Sequence, residues 1–228
     1  MHDELEGIPA PFIVDTLRQL GSELWESIRL SKRLLDGDST IELSSIILPP
    51  SHVFALSIQE NLPNDSSMIL WPIHDIIIAS HCSRVSSLPS SSIITSNSPT
   101  FNAVPLSVPY PSSLRLILRY VYTQDTASLF HSLLAPCIKH SPKHFRRHLS
   151  RVIPRISIVK FPNLKLPTIL AKHCPTSILS SRLQLVRRLW ENAMALGIED
   201  AQLWEMLKMA SNILVHALQI RRYIGYGI

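Results

Sequence analysis

Residues 108–125, with the sequence VPYPSSLRLILRYVYTQD, constrain the fold of this chain more than any other stretch. Pro111 suits the first turn of a helix, because its ring fixes a helical φ and its missing N–H would have no partner there. Four apolar residues then recur at helical spacing: Leu114, Ile117, Leu118 and Val121. We therefore predict a half-buried helix over 111–122, with Arg115 and Arg119 on the opposite face.

A strand precedes this helix and a second helix follows it. Val104, Leu106 and Val108 alternate with proline or polar residues, as in an edge strand whose missing proline N–H groups face solvent. After a turn at 123–125, Asp125 or Thr126 can cap a helix that runs to Pro136. The unit predicted from these patterns is strand, helix, tight turn, helix.

The remaining patterns predict mostly helices. A stripe of apolar residues between Pro11 and Leu35 indicates an N-terminal helix. A short strand is predicted over 40–48, and a helix starting at Ser51, whose hydroxyl could cap it. Met68–Trp71 looks like a strand, and a helix follows it after Pro72.

The C-terminal part of the chain predicts a helical hairpin. An apolar stripe starting at Leu179 stops at Gly197, a natural C-terminal cap, and Glu199 or Asp200 opens the last helix. The fold class is therefore α+β and mostly helical, with a small sheet. We predict four segments: 1–50, a core over 51–136 with a serine-rich surface loop at 83–100, a basic proline-containing linker over 137–178, and the helical hairpin over 179–228.

Charge is distributed very unevenly along the chain. Residues 1–100 contain 5 Lys and Arg against 12 Asp and Glu, a net charge of −7, whereas residues 101–228 contain 17 against 5, a net charge of +12. No acidic residue occurs from Thr126 to Trp190. The basic segment is either a charged, extended linker or a nucleic-acid-binding segment over 139–188. In the second interpretation, four residues would contact nucleic acid or serve nuclear import: Lys143, Arg146, Arg147 and Arg151.

Several chemistries are disfavoured by the residue pattern. No glycine occurs from 38 to 196, which excludes a glycine-rich phosphate loop there. The spacing of His74, Asp75, His81 and Cys82 matches no ordinary structural zinc pattern. We therefore predict no metal, no cofactor and no enzymatic activity.

The sequence also bears on the cell compartment. Its three cysteines are odd in number and far apart, which indicates a reducing compartment, nuclear or cytoplasmic. Acidic residues stand near the N-terminus where a secretory signal would carry positive charge, and no apolar run is long enough to cross a bilayer. We expect no membrane association.

Three segments resemble one fungal family. They are WPIHDIIIASHC at 71–82, VPLSVPYPSSLRLILRYVYTQDTASLFHSLLAP at 104–136, and LWENAMALGIEDAQLWEMLKMASNILVHAL at 189–218. Together they look like the clampless family of mushroom-forming fungi, named for failure of clamp-cell development. The resemblance implies a regulatory role in sexual development without enzymatic activity.

The central unit is also similar, more weakly, to the BTB/POZ interaction domain. In that domain a histidine-bearing strand and helix precede a helix pair that often ends in Tyr-Thr-Gly-Asp, and here Gln124 stands at the glycine position. This resemblance implies a BTB/POZ-like core and protein partners, with transcription regulators and a second copy of the chain among them. We predict that the helix at 111–122, the turn Thr123–Asp125 and the helix at 126–135 form the contact surface. The predicted contact residues are Arg115, Arg119, Tyr122 and Gln124.

Overall fold

The computed structural model describes residues 9–37, 49–57, 68–85, 88, 102–139 and 165–225. In chain order its elements are α1 (Ala10–Leu35), β1 (His52–Ser57), β2 (Met68–Ile73), α2 (Asp75–His81), β3 (Asn102–Leu106), a 3-10 turn (Pro111–Ser113), α3 (Leu114–Thr123), α4 (Thr126–Lys139), α5 (Lys165–His173), α6 (Thr176–Leu196) and α7 (Ala201–Gly225). The fold is thus α+β and mostly helical, as predicted.

The chain forms two compact units. The first comprises Met1–Gln124 together with Asn192–Glu199, and the second comprises Asp125–Glu191 together with Asp200–Ile228. Helix α6 therefore gives most of its length to the second unit and its last turn to the first. The four segment boundaries predicted from the sequence stay a prediction.

The first unit contains a three-stranded sheet in the order β2-β1-β3. Strand β1 runs antiparallel to β2 and parallel to β3, and His52 stands opposite both Ile73 and Asn102. The side chains of Val53, Phe54 and Leu56 are buried, as expected for the central strand of a sheet. The predicted edge strand is confirmed as β3.

The helix predicted to start at Ser51 is wrong. Residues 52–57 form β1 instead, because the sequence HVFALS pairs with a strand on each side and buries its apolar side chains. The hydroxyl oxygen of Ser51 does cap a helix, but a distant one: it accepts the backbone N–H of Asp75 at 2.8 Å. The strand predicted over 40–48 and most of the serine-rich loop lie outside the described residues.

Helices α1, α2 and α3 complete the first unit. The predicted N-terminal helix and the helix after Pro72 are confirmed as α1 and α2. Helix α1 packs against α3 and β2, and α2 packs against α3. Six residues of α3 are buried: Leu114, Ile117, Leu118, Tyr120, Val121 and Tyr122. The predicted half-buried helix is therefore confirmed.

The second unit is entirely helical in its described residues. Helix α7 packs against both α4 and α5. Helix α4 continues past Pro136 to Lys139, beyond its predicted end, because a proline this close to the last residue interrupts only the final turn. Trp190 of α6 and Trp204 of α7 meet edge to face with ring centroids 4.9 Å apart. Within the part of the chain that is described, no helix is both long and apolar enough to cross a bilayer.

Candidate interaction surface

A buried hydrogen-bonded pair connects the segments WPIHD and YVYTQD. The backbone N–H of His74 donates to the hydroxyl oxygen of Tyr122 at 2.8 Å, and Nδ1 of His74 lies 3.2 Å from the same oxygen. The two rings meet edge to face at 5.7 Å. Burial is the main cause that raises the pKa of the Tyr122 hydroxyl above its ordinary value of 10.0, so it stays protonated and neutral.

Aromatic rings extend this pair to helix α1. The ring of Trp25 lies 5.8 Å from that of Tyr122 and 6.4 Å from that of Trp71. The ammonium group of Lys32 lies 5.9 Å from the centre of the Trp71 ring, within the range of a cation–π interaction. The N-terminal helix, β2 and α3 are therefore held together around Tyr122.

The polar residues next to His74 serve the start of α2. Oγ of Ser51 lies 3.0 Å from Nδ1 of His52 and accepts the N–H of Asp75, while the carboxylate of Asp75 accepts the N–H of Ile76 at 2.8 Å. The bonds to Asp75 and Ile76 satisfy backbone donors that the first turn of a helix cannot satisfy itself. The described residues bring no three His, Cys, Asp or Glu side chains together as metal ligands.

Arg115 and Arg119 lie one turn apart on the exposed face of α3. No acidic side chain among the described residues is within ion-pair distance of either guanidinium group. Gln124 ends the helix in a left-handed conformation with φ 50°, and its Nε2 donates to the carbonyl oxygen of Val121 at 3.1 Å. These three predicted contact residues are accessible at least in part. Contact with a partner stays a prediction.

Tyr122 requires a correction. Its side chain is 1% exposed, and its hydroxyl is used by His74, so it cannot belong to the surface of the folded first unit. The signal was present in the sequence, because Tyr122 follows Leu118 by four residues and so lies on the same buried face of the helix.

Sequence reasoning missed Asn192, which fixes the approach to α3. Its side-chain oxygen accepts the N–H of Tyr110 at 2.9 Å, and its amide nitrogen donates to the carbonyl oxygen of Tyr110 at 2.8 Å and to Oγ of Ser113 at 3.0 Å. Asn192 is fully buried. The available signal was a polar residue within the apolar stripe of α6, between Leu189 and Leu196.

The C-terminal end of α6 is held by the residues just after α2. The backbone N–H groups of Ser83 and Arg84 donate to the carbonyl oxygens of Gly197 and Leu196, at 3.2 and 3.1 Å. The guanidinium group of Arg84 donates to the carbonyl oxygen of Met194 at 3.0 Å. Gly197 has φ 71° and no room for a Cβ atom, so the predicted glycine cap is confirmed.

The four basic residues of the alternative site lie outside the described residues: Lys143, Arg146, Arg147 and Arg151. Their role in nucleic-acid binding or nuclear import therefore stays a prediction.

Two family models match the chain. The model of the Clampless protein 1 N-terminal domain matches residues 1–109, and that of the Clampless protein 1 C-terminal domain matches residues 127–223. No curated protein and no solved structure matches it. The resemblance to the BTB/POZ domain is therefore not confirmed. The two matched ranges lie on either side of α3 and contain both His74 and Asn192. The chain belongs to the clampless family, and this membership indicates a role in clamp-cell development.

Proposed function

We propose that the chain is a non-catalytic protein-interaction module that regulates clamp-cell development. It binds a partner through the α3 surface, which we define as Arg115, Arg119 and Gln124. The observation that supports this proposal is the pair of exposed guanidinium groups on α3, which have no acidic partner among the described residues.

The α3 surface sits on a rigid support. Six residues of the helix are buried, and the Tyr122 hydroxyl holds its last turn to His74. A binding surface that is already ordered loses little conformational entropy when its partner arrives. The two arginines therefore lie on a fixed helix, and binding of a partner has to order only their own side chains.

The chemistry of the α3 surface favours an acidic partner segment. Residues four apart on a helix lie about 5–6 Å apart at Cβ, so Arg115 and Arg119 can each take one carboxylate of a segment lying along α3. Guanidinium groups form paired hydrogen bonds with carboxylates, which fix orientation as well as charge. The partner proteins include transcription regulators and a second copy of this chain, in the nucleus or the cytoplasm.

Charge reversal tests the α3 surface. The double variant Arg115→Glu, Arg119→Glu is compared with the matched control Arg18→Glu, Arg29→Glu, which changes the net charge equally. In the control the arginines are exposed on α1 but already paired with acids of the same helix, Asp15 and Glu26. Circular dichroism first checks that both variants fold.

The variants are compared by restoration of clamp cells and by peptide binding. In a strain that lacks the protein, the wild type and the control are expected to restore clamp cells, and the α3 variant is not. With purified protein, binding of helical peptides carrying Glu pairs four residues apart is expected to weaken at least about tenfold for the α3 variant only. Full restoration by a folded α3 variant would contradict the proposal.

We propose no catalysis because several chemically reactive side chains of the first unit are buried or bonded within the fold. Burial raises the pKa of Cys82 to about 12, so its thiol is protonated and a poor nucleophile. His74 and Tyr122 bind each other inside the first unit, and Asp75 caps α2. Each of these side chains serves the fold.

A second candidate function rests on the charge of the acid-free segment from Thr126 to Trp190. Binding of nucleic acid through 139–188 would release counterions, so affinity would fall steeply with salt. Fluorescence anisotropy of a labelled duplex, with the full chain and with a version lacking 137–178, tests this function. Tight binding at physiological salt that the deletion abolishes supports it, and binding only at low salt leaves the segment a linker.

A further inference from the structure

Two of the three cysteines form a buried pair in the second unit. Cys137 lies in the last turn of α4, and Cys174 lies directly after α5. Both side chains are fully buried, and their thiols lie close enough to interact with each other. All three cysteines of the chain are free thiols, and Cys82 lies in the first unit.

We propose that Cys137 and Cys174 are a reversible disulfide site that joins the end of α4 to the end of α5. The two thiols interact with each other, and a disulfide requires their sulfur atoms to approach to about 2 Å. The two helices pack against each other, and both cysteines lie at their ends, so a disulfide would join two segments that already touch.

Cys174 is the better placed of the two thiols to react first. It occupies the short connection between α5 and α6, and its neighbours His173 and Pro175 are both exposed. Burial raises the pKa of its thiol, while the interaction with the other thiol and the guanidinium groups of Arg221 and Arg182 oppose that shift. Local opening at this connection would expose the sulfur without unfolding the unit.

Oxidised glutathione, which is itself a disulfide, can oxidise the two cysteines by thiol–disulfide exchange. The Cys174 thiolate attacks one sulfur of the oxidant, which forms a mixed disulfide and releases one glutathione thiolate that takes up a proton. The Cys137 thiolate then attacks the sulfur of Cys174 and releases the second glutathione. The protein gives up two protons and two electrons in total, and the oxidant becomes two thiols.

The disulfide would close the chain around the basic segment. All four residues of the alternative nucleic-acid site fall between the two cysteines in sequence: Lys143, Arg146, Arg147 and Arg151. Oxidation would bring the two ends of this segment under a covalent constraint, and reduction would release it. Disulfides in reducing compartments are usually transient and regulatory, which fits a reversible site of this kind.

Thiol mapping of the full-length protein tests the site. The protein is equilibrated in buffers of increasing oxidised-to-reduced glutathione ratio and quenched in acid. Its free thiols are then alkylated and its peptides are mapped by mass spectrometry without reduction. Cys82 is an internal control, because burial raises its pKa to about 12, as it does for Cys137.

The expected result is loss of two of the three alkylatable thiols together, with one peptide pair linking Cys137 to Cys174. Dithiothreitol is expected to restore both thiols. The variant Cys82→Ser should behave like the wild type, whereas Cys137→Ser should leave only a glutathione adduct on Cys174. The proposal is overturned if both thiols stay alkylatable at oxidising ratios where the protein remains folded, or if Cys82 enters disulfides to the same extent.

Discussion

Tyr122 carries a hydrogen bond that joins distant parts of the first unit. Replacing it with phenylalanine removes the hydroxyl that accepts the buried His74 N–H. An unsatisfied buried donor costs about 1–3 kcal/mol. We therefore expect Tyr122→Phe to lower the free energy of unfolding by about that amount in urea titrations.

The control for this variant is Tyr223→Phe. The side chain of Tyr223 is 70% exposed on α7, so loss of its hydroxyl is expected to leave stability unchanged. Equal stability of the two variants would show that the hydroxyl of Tyr122 contributes nothing to the fold.

Gly21 lets two helix backbones approach each other. A Cβ atom at this position would overlap the carbonyl oxygen of Tyr122, which cannot move without shifting α3. Alanine would gain about 1 kcal/mol of helix propensity, but overpacking costs about 1–3 kcal/mol. We expect Gly21→Ala to be destabilised in thermal unfolding, while Ser22→Ala, at an exposed neighbouring position, is unchanged or slightly stabilised. A more stable Gly21→Ala protein would contradict this packing.

Helix α6 contributes its last turn to the first unit, and Asn192 is one of the residues that attach it. Truncation to alanine removes the side-chain acceptor of the Tyr110 N–H and one donor to the Tyr110 C=O, which still accepts the N–H of Ser113. We expect Asn192→Ala to lose about 2 kcal/mol or more of stability. Asn212→Ala, at an exposed position of α7, serves as the matched control and should change stability by a few tenths of a kcal/mol at most.

This experiment also has a structural readout. Amide exchange at Tyr110 and at the residues of the 3-10 turn should accelerate in Asn192→Ala, because the clamp on the approach to α3 is lost. Unchanged exchange at Tyr110 would mean that the clamp does not hold this segment in solution.

The buried thiols make the stability of the protein depend on alkaline pH. The thiol of Cys82 has an ordinary pKa of 9.0 in the unfolded chain, and burial raises the pKa to about 12 in the folded protein. Between these values the unfolded chain loses a proton that the folded protein keeps. Stability from this group is therefore complete below pH 9 and is lost as the pH rises toward 12.

The variant Cys82→Ala isolates this contribution. The free energy of unfolding is measured in urea from about pH 8 to about pH 10.5 for both proteins. Above the unfolded pKa, the slope for the variant should be shallower than that for the wild type by about 1.4 kcal/mol per pH unit. Parallel slopes would show that the thiol ionises equally in both states.

The elements that depend on local residue patterns could be predicted from the sequence. The half-buried α3, the edge strand β3 and the helix cap at Gly197 follow from 3.6-residue periodicity, proline geometry and the φ that glycine allows. Asp125 and Asp200 accept the N–H groups of the helices that they open, as predicted. Strand β1 was not predictable, because a six-residue apolar run has no period that separates strand from helix, and its two neighbours come from elsewhere in the chain.

The sequence by itself determined the α+β, mostly helical class, the family resemblance and the charge asymmetry, because each of these depends on residue type and local spacing. Only the tertiary structure placed Tyr122 in the core, joined it to His74, and brought Asn192 to Tyr110 and Cys137 to Cys174. These pairs are between 37 and 82 residues apart in sequence. No local rule relates residues at such separations. Their contacts form only when the whole chain buries its apolar surface, and the partners are then fixed by shape and by the need to satisfy every buried polar group.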